Sequence, residues 1–105
     1  VDWLSDYGFG ILSQNWRNRY CEIDIVAKRN NRIHFIEVKY RRSNQSGDGF
    51  AAITPKKAGR LKQACRHWLT ANNTRAAGYQ IDVVSVSGYP EPNNVEYLPN
   101  AITLG

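Results

Sequence analysis

Asp24 and the run Glu37-Val38-Lys39 are the residues whose types and spacing best support chemistry, because they fall on the two arms of one expected β-hairpin. Carboxylates gathered at one end of a sheet repel each other until a cation neutralises them, and a hard divalent cation such as Mg²⁺ takes oxygen ligands. Held by Asp24 and Glu37, such a cation polarises a phosphoryl oxygen and lowers the pKa of its bound water, which is the chemistry of phosphodiester hydrolysis. Lys39 lies two residues after Glu37, so alternation along a strand projects both to one side. Its ammonium group can then orient the water or stabilise a pentavalent phosphorane. The backbone carbonyl of Val38 is a further oxygen ligand, and Mn²⁺ is the expected substitute for Mg²⁺. The alternative is a hairpin whose charges merely face solvent.

Several neighbours extend the pattern. Glu22 shares a strand with Asp24 and can reach a cation through water, or else pair with Arg17 or Arg19 as a solvated residue. Asp82, on a later strand, either joins the acidic cluster or serves as a hydrogen-bonded structural residue. His34 faces away from Glu37 and Lys39 and is a weak candidate for nucleophile or ligand. Lys56, Lys57, Arg60 and Arg66, with Arg41 and Arg42 before them, can track a phosphate backbone, or form an ordinary solvated helix surface.

The elements that must position these residues are legible in outline. Residues 1–7 read as the tail of a helix ending at Gly8, and residues 11–16 as a first strand. Residues 22–28 and 32–40 alternate at period two around Asn30-Asn31, whose side chains tolerate the positive φ angles of a tight turn. Residues 42–49, rich in Ser, Asn, Gln and Gly, form a loop suited to closing over a substrate. Thr54-Pro55 starts a helix that runs to Ala71, with Ala58, Leu61, Cys65, Trp68 and Leu69 on its apolar side. Strands over residues 79–87 and 95–97 complete the order α-β-β-β-α-β-β.

A chain of 105 residues fits one domain, and 42% hydrophobic with 22% charged residues is ordinary for a globular fold. Fourteen Lys and Arg against nine Asp and Glu give a formal charge of +5, which attracts polyanions such as nucleic acid. No apolar run is long enough to span a bilayer and no leader is recognisable, so a cytoplasmic protein without membrane contact is expected. Cys21 and Cys65 lie far apart, without zinc-ligand spacing, and are expected as reduced thiols with Cys65 in the core. The three tryptophans occupy core-like positions rather than a base-stacking platform.

Asn15-Trp16-Arg17, Glu22-Ile23-Asp24-Ile25, Glu37-Val38-Lys39-Tyr40-Arg41, Thr54-Pro55-Lys56-Lys57, Arg60-Leu61, Trp68-Leu69 and Asp82-Val83-Val84 together resemble the successive motifs of the YraN family of small bacterial proteins. That family is similar to archaeal Holliday junction resolvases. The resemblance implies a restriction-endonuclease-like α/β fold with a mixed central sheet flanked by helices. It also implies that Asp24, Glu37 and Lys39 occupy the places of the PD-(D/E)xK nuclease motif, with Mg²⁺ as cofactor and DNA, including branched DNA, as substrate. A homodimer would suit incision of two strands. Residues 1–105 are expected as a single nuclease-like domain that lacks the first residues of its N-terminal helix, where the family carries a glutamate. Cys21 stands where the family usually has glycine. A non-catalytic nucleic-acid-binding module with the same architecture, and a protein-binding subunit that keeps the acidic site as a remnant, stay open as alternatives.

Overall fold

Period-two alternation and paired asparagines fold the first part of the chain into an antiparallel meander. The computed structural model describes residues 2–19, 22–41, 54–74, 76–87 and 94–102. Helix α1 (Asp2–Asp6) is followed by β1 (Gly10–Arg17), β2 (Glu22–Arg29) and β3 (Arg32–Arg41). Then come α2 (Pro55–Asn72), β4 (Gly78–Ser87) and β5 (Asn94–Ile102), in the expected order α-β-β-β-α-β-β. The strands form one sheet in sequence order, antiparallel throughout except where β3 runs parallel to β4. Parallel neighbours need a crossover, and the segment containing α2 supplies it.

The result is an α/β fold with a mixed five-stranded sheet and a helix on either side. On one face Ile23, Val26, Ile33, Phe35 and Ile81 pack against Leu61, Ala64, Cys65 and Trp68 of α2. On the other, Ala27, Ile36, Val84 and Val86 meet Leu4 of α1 and Phe9. Both faces of β3 are therefore covered, and residues 33–36 are buried without a break. Trp68 closes the α2 side: its ring meets Phe35 edge-on at 5.8 Å, and its Nε1–H donates to Ser13 Oγ at 3.0 Å.

Asparagine supplies the non-glycine positive φ angles among the described residues: Asn15, Asn30, Asn31, Asn73 and Asn100. Asn30 and Asn31, at φ 52° and 58°, make the tight turn between β2 and β3. At the start of α2 the Thr54 hydroxyl accepts from the Lys57 N–H at 3.1 Å, Pro55 opens the first turn, and Asn73 at φ 45° closes the helix. Gly8, at φ 84°, ends α1 and donates its N–H to the Ser5 carbonyl at 3.0 Å.

The last strand is longer than the expected 95–97, extending to Ile102. Pro99 and Asn100 read as breakers, but on the outer strand of a sheet they form a bulge: Val83 pairs with Leu98 and Ile81 with Ile102, so several residues of β5 oppose Asp82. The expected loop over residues 42–49, Cys21 and the side chain of Trp3 lie outside the described residues. No helix among the described residues is long and apolar enough to cross a membrane.

Candidate active site

The site is built where β2 separates from β3. The two strands pair from Arg29↔Arg32 to Ile25↔Ile36, and the ladder goes no further. In place of the next backbone bond, the Val38 N–H donates to Asp24 Oδ2 at 2.8 Å. The cause is a paired irregularity in β1 and β2. Ile23 and Val26, three residues apart, share the α2-side core, so strict alternation breaks at Asp24-Ile25. Asn15, in the left-handed region at φ 50°, sits between the pairs Gln14↔Ile25 and Trp16↔Ile23, level with Asp24. Its tolerance of that conformation lets β1 follow the break and returns Trp16 to the α2-side core. Asp24 is thereby aimed across the opening between strands.

Glu37 extends β3 past the end of that ladder while staying level with Val83 of β4. Its side chain is 13% exposed, and two ammonium groups approach the same oxygen: Lys39 Nζ at 3.5 Å and Lys57 Nζ at 3.8 Å from Oε1. Burial pushes the Glu37 carboxyl from 4.5 up to about 7; the negative charges of Asp24 and Glu22 push the same way, and Lys57 opposes them. The lysine two residues along the strand thus does lie beside the glutamate, and Asp24 is close enough for its charge to be felt there.

These groups fit a hard divalent cation. A carboxyl with a pKa near 7 is only about half ionised at neutral pH, even with Lys57 beside it. N–H and C=O of one extended residue leave a strand on the same edge, so the Val38 carbonyl is directed toward Asp24 as its N–H is. Among the described residues no three of His, Cys, Asp and Glu stand together as a metal-holding group. Two carboxylates and a carbonyl would leave Mg²⁺ several of its waters, as that ion prefers.

The other expected site residues are distributed unevenly. Glu22 is exposed, level with Arg17 of β1, and reaches Glu37 through its charge. Lys57 keeps part of its side chain in solvent, but with Leu61, Ala64 and Trp68 it lies on a stripe at helical spacing that turns toward the sheet, where its ammonium group meets Glu37. Sequence reasoning grouped it with the other cations, although that spacing was available to separate it. Lys56 and Arg60, one turn apart, are exposed along α2, and Arg66 is exposed on a different side, lining a groove with Trp16, Asn18, His67, Thr70 and Ala71. Lys56, Lys57, Arg60 and Arg66 therefore do not share one face of α2. Arg41 ends β3 with its side chain outside the described residues, and Arg42 lies outside them altogether.

Asp82 takes the hydrogen-bonded role and not the acidic-cluster one. It is fully buried on the α1 side of the sheet, opposite Glu37. Burial opposes its ionisation, but hydrogen bonds from His34, the Asn100 N–H, Tyr97 and Gln80 together hold its carboxyl below the usual range. The His34 Nδ1 to Asp82 Oδ2 distance is 2.7 Å, and Phe9 packs edge-on against the imidazole at 4.9 Å. His34 is thus engaged in the frame, away from the site.

Residues 1–86 match the family described as Uncharacterised protein family UPF0102. A UPF0102 protein of a Sulfurihydrogenibium species is 35% identical over 104 residues, covering 99% of this chain and 87% of that one. One from Vibrio cholerae is 32% identical over 107 residues, covering 100% and 86%. One from Klebsiella pneumoniae is 38% identical over 101 residues, covering 94% and 76%. The chain belongs to UPF0102, the YraN family whose motifs its sequence carries.

Proposed function

We propose that the protein is a Mg²⁺-dependent nuclease acting on structured or branched DNA, with Asp24 and Glu37 as cation ligands, assisted by the Val38 carbonyl, and Lys39 as the catalytic ammonium group. The observation that carries this reading is the meeting of Asp24, Glu37 and Lys39 where β2 leaves β3, around a carboxyl too buried to ionise fully without more positive charge. Mg²⁺ bound there would polarise the scissile phosphate and acidify a water. The Val38 N–H fixes Asp24, leaving Oδ1 for ligation. Glu37 would have to give up its residual proton to hold the cation, so binding would weaken as pH falls below about 7. Lys39, positioned by Glu37, neutralises charge that develops on the phosphoryl oxygens.

The formal charge of +5 and the exposed Lys56 and Arg60 of α2 support a polyanionic substrate. The similarity of the YraN family to archaeal Holliday junction resolvases supports branched DNA. Cleavage of a four-way junction and of a linear duplex, with Mg²⁺ and with chelator, tests the reading. Metal-dependent cutting should disappear in Asp24→Ala, Glu37→Ala and Lys39→Ala; cutting that persists in all three would overturn the assignment.

One observation favours a second reading, a nucleic-acid-binding module that never cuts: Glu37 already has two ammonium counter-ions supplied by the chain itself. Tight, strongly salt-dependent DNA binding that chelator leaves unchanged, without cleavage, would select it.

A further inference from the structure

Lys57 reaches the site from a different element than the residues it joins. Asp24, Glu37 and Lys39 lie on adjacent strands, whereas Lys57 projects from the first turn of α2. Its own N–H is fixed by Thr54 Oγ1 at 3.1 Å, which anchors the root of the side chain while four methylenes carry the charge to the sheet. Both lysines converge on one atom, Glu37 Oε1. They differ in enclosure, however: the Lys39 side chain is 19% exposed and that of Lys57 39%. Lys39 is held along its strand, while Lys57 has solvent on one side and a route outward.

A divalent ion ligated by that oxygen would repel both ammonium groups, so the two lysines compete with it for Oε1. The more exposed partner is the one free to withdraw. We infer that Lys57 is the resident counter-ion of Glu37, which occupies Oε1 whenever no divalent cation does so and yields it when one binds. This rests on the nuclease reading and adds a role that the strand residues cannot fill. Lys57 acts through Glu37, on cation affinity, and not as a contact to the DNA backbone.

The test is Mn²⁺ affinity, measured by electron paramagnetic resonance on the intact chain at about pH 8.5, above the Glu37 pKa. Lys57→Met keeps the aliphatic stem and removes the competing charge, so Mn²⁺ should bind about twofold to fivefold more tightly than in the wild type. Lys57→Arg should return affinity to the wild-type value, and Lys62→Met, which removes a charge elsewhere on α2, should not change it. Lys57→Gln provides a second neutral variant should the methionine protein fold poorly by circular dichroism. Wild-type binding with unchanged or weaker Mn²⁺ affinity in the neutral Lys57 variants overturns this inference alone. Absence of Mn²⁺ binding by the wild type overturns the nuclease reading and this inference with it.

Discussion

Replacing Glu37 by glutamine should stabilise the protein in alkaline solution and leave it unchanged in acid. In the unfolded chain the Glu37 carboxyl titrates at its ordinary 4.5, whereas burial beside Asp24 raises it to about 7 in the folded protein. Between those values the folded state holds a proton that the unfolded state has released, so wild-type stability falls as pH rises through that window. The stabilisation is fully present below 4.5 and is lost once pH passes about 7. At about 1.4 kcal/mol for each tenfold change in proton affinity, the total is about 3 kcal/mol. Glutamine has the same shape and no proton to lose, so the variant escapes that decline.

Urea unfolding of both proteins across this range isolates the effect, because other titrating groups cancel in the difference. The variant should match the wild type to within about 0.5 kcal/mol at the acid end and exceed it by about 2–3 kcal/mol above neutrality. Millimolar Mg²⁺ at the alkaline end should raise wild-type stability and leave the variant unaffected. A difference that stays flat with pH, or that favours the wild type more as pH rises, would refute the account of Glu37.

Three further outcomes follow from the same geometry. Lys39→Ala should lower single-turnover DNA cleavage by at least about 100-fold while retaining Mn²⁺ binding, since its ammonium group serves the reaction and not ligation. Asp82→Asn should cost about 3 kcal/mol in urea unfolding near neutral pH, because it disrupts a buried, multiply bonded carboxylate. The wild type should also lose stability as pH falls through the depressed Asp82 pKa, and the variant should lack that acid limb. Thr54→Ala should cost about 1 kcal/mol by removing the cap of α2, measured as a lower thermal midpoint.

Much of this fold was legible because its signals are local. Alternation in residues 22–28 and 32–40, the Asn30-Asn31 turn and the Thr54-Pro55 helix start are each encoded within a few neighbouring residues. Cys65 and Trp68 are buried where the helical pattern put them. What was not legible depends on partners remote in sequence. Strand β5 continues through Pro99-Asn100 because Asp82, on the adjacent strand, accepts the Asn100 N–H at 2.7 Å. No local rule announces that rescue of a breaker. The aiming of Asp24 likewise requires Asn15, on β1, to take a left-handed conformation at the same level. Within the site, the pairing of Glu37 with Lys39 followed from strand periodicity. The inward turn of Lys57 was present in the 57, 61, 64, 68 spacing but was obscured by the lysine and arginine around it.

The nuclease reading requires Asp24 and Glu37 to hold one divalent cation at the mouth of the β2–β3 opening. Anomalous diffraction from a crystal soaked in Mn²⁺ above pH 7 tests it most directly. A single strong peak should lie between the two carboxylates, within reach of the Val38 carbonyl. A soaked crystal with no peak between Asp24 and Glu37, or with Mn²⁺ held only at other carboxylates, would contradict it.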